Sequence, residues 1–437
     1  MSHVAREVES GRRPVDVSDG GNGRGAAESP AIQFDLLSQA FKNHPFPTLA
    51  RMRELGPVIR MRLPLFGSVW MATTHEAVND LLCDHQRFVQ NPATAGNRGM
   101  GAVLRWLPGT LKPLATNMLL RDPPDHRRLR SLVDRGFQRQ SIEALRPRIE
   151  ALADEALDRF AEQAARSPSG VDLLADFARP FPLAVICELL GLPPEDRPKF
   201  TRWATRFSTS TSVLGIARGL FGGVRKMMLY ARQEFRRQSK HPRGGLVAAL
   251  IEAEEAGDRL SEDELVAMVF LLLAAGHETT LHQIACCVLT LFDHPQQRAE
   301  LTSDWSLADS AAQELLRYVS FAQVSKPRYA RQDSEFYGLP IRRGQMMFGC
   351  LAAANSDPAV FENAEGLDLR RQPNRHLAFG AGIHYCLGAK LAGVEIAIAL
   401  QRLFTRFPNL RLAVARRRIR YTARFGTRAL MALPVRW

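Results

Sequence analysis

From Asp125 to roughly Phe292 apolar residues recur at spacings of three and four, and that period predicts a chain that is helical almost throughout this span. Breaks are expected where Pro, Gly and Ser collect: Pro147, Ser167 to Gly170, Pro193–Pro194, Ser208 to Gly215 and His241 to Gly245. Before the span, Pro47 to Leu55 reads as a short helix. Val58–Leu63 and Ser68–Ala72 read as strands joined by a Pro/Gly turn, and Thr74 is placed to cap a helix that ends near Cys83. Asn91 to Leu120 is a long connection, a kind of segment that often covers a site. After the span, Ala308 to Val319 is helical, and strand-like pieces lie around Val324–Tyr329, Ser334–Phe336 and Met346–Leu351. An irregular segment, Asp357 to Arg375, then leads to a helical pattern from Leu387 to Phe404, with terminal strands and turns from Leu410. The fold class is therefore mostly α with a small β-lobe, with no internal repeat.

Length and composition refine this picture. A chain of 437 residues with ordinary globular composition can bury a large core. Met1 to roughly Pro30 has almost no large hydrophobes and reads as a disordered tail without the apolar core of a signal peptide, leaving 31–437 as one domain. Leu265 to Phe292 is apolar enough to suggest a membrane span, but Gly276 to Gln283 interrupts it with ionisable and polar groups, so a buried helix is expected. Six cysteines without paired spacing argue for a reducing cytoplasm and against disulfides. The formal charge of +13 is spread over Arg127–Arg130, Arg225–Arg243 and Arg416–Arg420. That spread does not form one nucleic-acid motif; it fits solvated faces or docking of an acidic protein partner.

The candidate chemistry centres on His376-Leu-Ala-Phe-Gly-Ala-Gly-Ile-His-Tyr-Cys386-Leu-Gly. Gly380 and Gly382 would let the backbone approach a flat cofactor with amides turned toward the Cys386 sulfur, and a helix starting at the cysteine would favour its thiolate. A lone cysteine is usually a small buried hydrophobe. Here, however, Phe379, Gly380, Gly382, His384, Cys386 and Gly388 closely resemble the haem-binding signature of the cytochrome P-450 haem-thiolate monooxygenases. A thiolate ligand favours O–O cleavage over electron carriage.

Three further patterns agree. In Ala275-Gly-His-Glu-Thr279, burying Glu278 and Thr279 in an apolar helix costs several kcal/mol, roughly, unless they have partners or a purpose, and Gly276 would let the helical ladder open locally. The segment resembles the family's oxygen-binding helix, which implies catalytic roles for both residues: Thr279 holding water or dioxygen and Glu278 relaying protons. Peroxide-using members lack this acid-alcohol pair, so its presence favours the dioxygen-dependent branch. Glu314-Leu-Leu-Arg317, alone an ordinary helical ion pair, resembles the family's buried Glu-x-x-Arg, with Arg371 or Arg370 as the joining arginine. In Asp122-Pro-Pro-Asp-His126-Arg-Arg-Leu-Arg130, the spacing of His126 and Arg130 puts two cations on one helical side, which suits an anion. The resemblance implies that they contact haem propionates together with His376 and with Arg328 or Lys326. The alternatives arise because the stretch from Arg317 to Arg328 is a residue longer than is usual and carries Phe321 where proline is common.

Taken over Phe46 to Trp437, the resemblance implies a triangular helical prism holding one haem b between the Glu278 helix and the Cys386 loop. It implies hydroxylation or epoxidation, by dioxygen, of a medium to large lipophilic substrate of polyketide, terpenoid, steroid or fatty acid type. The electron donors would be a separate ferredoxin and ferredoxin reductase, with no nucleic acid and no membrane span involved. Pocket walls are expected from Asn91–Leu120, Phe207–Gly222, Phe270–Ala275 and Phe321–Lys326. An enzyme that couples or rearranges its substrate without oxygen insertion, and a haem sensor, remain open alternatives.

Overall fold

The computed structural model describes residues 31–64, 66–96, 117–167, 170–208, 219–255 and 261–437. The expectations placed on 1–30, and much of the predicted pocket wall at 97–116 and 209–218, fall outside them.

The small β-lobe is built on period-two alternation. Strands β1 (Val58–Leu63) and β2 (Gly67–Ala72) pair antiparallel with Ile59 opposite Met71. Ile59, Met61, Leu63, Val69 and Met71 are buried against Leu36, Phe41, Leu49 and Met52 of the N-terminal segment, while Val58, Trp70 and Ala72 pack with the helix His75–Cys83. Thr74 caps that helix, accepting from the Ala77 N–H at 3.3 Å. Short strands complete the sheet: β3 (Phe88–Val89), β5 (Arg328–Ala330) and β8 (Met346–Gly349), after β4 (Val171–Asp172) and around the hairpin β6 (Ser334–Phe336) and β7 (Leu339–Ile341). The strand order is β1-β2-β8-β5-β3, so segments from the two ends of the sequence share one sheet. β9 (Arg411–Leu412) and β10 (Pro434–Arg436) join β4 in a second, three-stranded sheet. β3, β4 and β7 are too short to show a period, and the sequence pattern missed them.

Helices make up the larger lobe. The helix Arg139–Ala165 runs through Pro147, where a break was expected; its inward face, Ile142, Ile149, Leu152, Ala153, Ala156, Leu157 and Phe160, is buried across the proline, and that packing outweighs the lost hydrogen bond. Glu262–Asp293 is a 32-residue helix started by a capping box, with Ser261 accepting from the Glu264 N–H and the Glu264 carboxylate accepting from the Ser261 N–H. It alone among the described residues is long and apolar enough to cross a membrane, yet most of its length is buried in the helical core, packed on Pro180–Leu190 and Ala389–Arg406. Ala308–Val319 forms as expected, whereas the piece read as strand to Leu351 ends at Gly349 and turns into a short helix, Leu351–Asn355.

Candidate functional site

The loop before Ala389–Arg406 presents the cysteine. The Gly380 N–H donates to the Leu377 carbonyl at 2.9 Å and the Cys386 N–H to the Phe379 carbonyl at 3.0 Å, folding the loop back on itself. Gly380 and Gly382 take φ of +71° and +70°, in the left-handed region that a side chain disfavours. Gly382 also meets the end of the His75–Cys83 helix so closely that a Cβ would collide with the Leu82 carbonyl and the Cys83 Cα. Its close approach is thus to protein, whereas a Cβ on Gly380 would meet only Leu82 at 4.0 Å. Phe379 sits between the rings of His376 and Tyr385.

Cys386 is exposed, and yet protein crowds it enough that burial pushes its thiol up, against the Gly388 N–H and the charge of Arg130, which pull it down. The helix starts at Ala389, not at the cysteine, so the expected dipole preference for thiolate is diluted by distance and outweighed by desolvation.

A cluster of two arginines and two histidines stands beside this loop. His126, buried on the helix Asp125–Asp134, packs its ring 4.1 Å from that of His384. Desolvation, then Arg130, pushes His126 down to about 4; desolvation, then Arg328 and His126, pushes His384 down to about 2, and its Nδ1 is buried with no partner. Arg130 donates to the Tyr385 carbonyl at 2.7 Å and to Asp134 at 2.8 Å, tying this helix to the cysteine loop. Arg328 is buried, and desolvation lowers it to about 10 against the attraction of Asp122. Lys326 is exposed, so Arg328 is the cation inside the cluster.

His376, the other residue expected at the propionates, has a different hydrogen-bond partner. Its Nε2 lies 3.1 Å from the Gln313 Oε1, and the charges it feels are those of Glu314 and Arg317. His384, which the sequence reading quoted in its motif without giving it a role, stands in the cluster instead. Four cationic or protonatable groups crowded together, one with an orphan nitrogen, fit a dianionic edge such as haem propionates provide.

Above the loop, the Glu262–Asp293 helix is continuous, and the expected local opening at Gly276 does not occur. Gly276 serves packing: a Cβ there would lie 3.3 Å from Ile186 on the neighbouring helix. In the middle of this helix Ala275 and Thr279 are exposed and Leu271, Ala274 and Glu278 half-buried, a stripe at spacings of three and four. The Thr279 hydroxyl donates to the Ala275 carbonyl at 2.6 Å, which leaves its oxygen free to accept. Glu278 accepts from Arg424 at 2.7 Å, a partner the sequence reading did not identify. Within the expected pocket wall Phe321 turns inward instead, stacked on His282.

Behind the loop lies a saturated network. Glu314 and Arg317 are fully buried and paired by two bonds of 2.7 Å; Arg371 joins Glu314 at 3.1 Å, while Arg370 turns away to Glu300. The question between Arg370 and Arg371 is thus settled for Arg371.

Comparison with known proteins agrees with this geometry. The family model "Cytochrome P450" matches residues 216–412. Cytochrome P450 107B1 of Saccharopolyspora erythraea is 39% identical, over 92% of this chain and 98% of its own. The mycinamicin IV hydroxylase/epoxidase of Micromonospora griseorubida is 38% identical, over 88% and 94%. The solved structure of cytochrome P450 PksS, of the Bacillus subtilis bacillaene polyketide synthase, superposes with a TM-score of 0.82 at 35% identity, covering 92% of this chain and 99% of that one. Relatives this similar, over nearly the whole chain, share one chemistry, and haem b is its cofactor. The protein belongs to the cytochrome P450 family and is a haem-dependent monooxygenase.

Proposed function

We propose that this enzyme hydroxylates or epoxidises a polyketide- or macrolide-class substrate, with Cys386 as the iron ligand and Glu278 and Thr279 as the proton-handling pair. Two observations carry the reading, each an exposed group on an element that otherwise packs into the core: the Cys386 thiol in its glycine loop and the Thr279 hydroxyl on the long helix. When bound, haem supplies the activation of dioxygen. His126, Arg130, Arg328 and His384 would hold its propionates, and Phe379 and Gly380 would line the loop that receives it. His376 braces that loop through Gln313. Thr279 holds water by the accepting oxygen left free, and Glu278, reached by solvent, replaces the protons delivered. Leu271, Ala274 and Ala275 offer apolar surface to the substrate.

The substrate class is supported by what the relatives' names state, a mycinamicin hydroxylase/epoxidase and an enzyme of bacillaene synthesis. Arg127 and Arg375, exposed near the cysteine loop, suit an acidic ferredoxin served by its reductase. Residues 31–437 form the catalytic unit, and the six free thiols fit the cytoplasm. The test is turnover of a macrolide panel with NADPH, ferredoxin, reductase and isotopically labelled dioxygen. Label in the product supports the reading; a coupled or rearranged product without label overturns oxygen insertion.

A further inference from the structure

Lys42 is a buried charge whose hydrogen bonds include no carboxylate. It lies on the five-residue helix Gln39–Asn43, its side chain is fully buried, and its three acceptors are all neutral oxygens: Gln323 Oε1 at 2.7 Å and the carbonyls of Thr427 at 2.6 Å and Arg424 at 3.2 Å. Arg428 stands next to it and donates to the Lys42 carbonyl at 2.7 Å, a like charge that adds to the cost. A buried ammonium without a carboxylate is expensive, and stability alone would favour a hydrocarbon there. What it does locally is clear from its bonds. All three anchor one turn: two carbonyls within 424–427, and the side chain of Gln323, whose own N–H donates to the Gly426 carbonyl at 2.9 Å.

That turn carries the partner of Glu278. Its base pairs with the 321–323 segment, through Ala322 with Thr427 and the Arg428 N–H to the Phe321 carbonyl at 2.8 Å. Phe425 packs against Phe66 and Phe348 of the β-lobe. From this fixed base Arg424 reaches the Glu278 carboxylate at 2.7 Å. His277 and His282, the histidines flanking Glu278 on its helix, are pushed by burial down to about 4 and about 3, so neither is charged at neutral pH to compete with Arg424 for that carboxylate.

We infer that Lys42 and Arg424 are positioning residues for the reaction: the buried ammonium fixes the 424–427 turn, and the turn's guanidinium fixes the Glu278 carboxylate beside Thr279. The inference rests on the reading of Glu278 and Thr279 as the proton-handling pair. Only O–H bonds change in the step concerned: the Glu278 carboxylate takes a proton from solvent and passes it toward Thr279, returning to the carboxylate that Arg424 holds, while Arg424 and Lys42 keep their own protons. A wandering carboxylate would deliver its proton late, and oxygen reduced but not cleaved would leave as hydrogen peroxide.

The test uses full-length holoenzyme with ferredoxin, reductase and NADPH, and reads the ratio of NADPH consumed productively to NADPH lost as peroxide, in light and heavy water. Glu278→Gln should lower that ratio about 10²-fold, the usual cost of losing a positioned proton donor. Arg424→Gln and Lys42→Met should lower it about tenfold and enlarge the solvent isotope effect, Arg424→Lys should recover most of it, and Arg424→Gln combined with Glu278→Gln should be no worse than Glu278→Gln alone. If Glu278→Gln is impaired while Arg424→Gln and Lys42→Met behave as wild type, the inference is overturned and the proton-handling reading stands. If Glu278→Gln itself behaves as wild type, both fall. Amide hydrogen exchange provides a readout independent of turnover: Lys42→Met should speed exchange across 421–430 about tenfold with 377–388 unchanged, and unchanged exchange in both segments overturns the part given to Lys42.

Discussion

Two acid–arginine pairs in this molecule have the same chemistry and opposite settings. Glu314 and Arg317 are wholly inaccessible, and every direction around them is filled: the carboxylate accepts from Arg317, Arg371, Asn374 and the Asp368 N–H, and the guanidinium donates to the carbonyls of Asn355, Ala364 and Gly366. Glu278 and Arg424 keep side-chain exposures of 22% and 32% and share one bond of 2.7 Å. Desolvation makes the difference. A buried pair cannot lose a partner without leaving a naked charge, so it acts as a lock, here on the segment that feeds the cysteine loop. A half-exposed pair is worth little to stability, because water replaces either partner cheaply, and under the proposed function that access is what lets Glu278 meet solvent.

Substitutions on each side should separate the two roles. Glu314→Gln strands the Arg317 charge and should cost about 3–5 kcal/mol, seen as a large drop in the chemical-denaturation midpoint and loss of haem on purification. A loss under about 1 kcal/mol would show that the buried network is not a lock. Thr279→Ala, on the open side, should leave the denaturation midpoint within about 0.5 kcal/mol of wild type while the product formed per NADPH falls about 10²-fold and peroxide rises. Retained coupling would reduce Thr279 to a helical residue that happens to be accessible.

The smallest effect concerns Lys42, whose ammonium burial and then Arg428 push from 10.5 down to about 8. The unfolded chain keeps that proton up to its ordinary value while the native protein gives it up near pH 8, so unfolding takes up a proton in between. Stability from this group is therefore absent below about pH 8 and rises with pH, by roughly 2 kcal/mol toward pH 9.5. Comparing wild type with Lys42→Met by denaturation across that range should isolate the rise; parallel curves would contradict it.

What the sequence made legible follows from range. The strands of the lobe, the Thr74 cap, the long helix and the cysteine loop are written in residues a few places apart, where period, caps and glycines act locally. Arg371 rather than Arg370, and Arg328 rather than Lys326, needed the fold: adjacent residues in an irregular segment carry no face and residues two apart in a strand-like piece share one, so the choice rests on distant contacts such as the Asp368 N–H on the Glu314 carboxylate and the pairing of Arg328 with Met347. Arg424 lies 146 residues from Glu278, and Lys42 lies 281 from Gln323, so no spacing rule reaches either. His384 was visible as a letter in a motif; its place in the cluster emerged only when the Asp125–Asp134 helix laid His126 against it. Gly276 misled for the opposite reason, since a glycine in a helix reads as an opening until a neighbour such as Ile186 shows that it is a contact.

The central claim, a haem held through the Cys386 sulfur, is tested most directly by the carbon monoxide difference spectrum of the dithionite-reduced protein. Wild type should show the long-wavelength Soret band of thiolate-ligated haem, and Cys386→His, with haem retained, should lose it for the shorter-wavelength band of histidine ligation. A shorter-wavelength band from fully folded, haem-loaded wild type, or a long-wavelength band that survives in Cys386→His, would contradict the account.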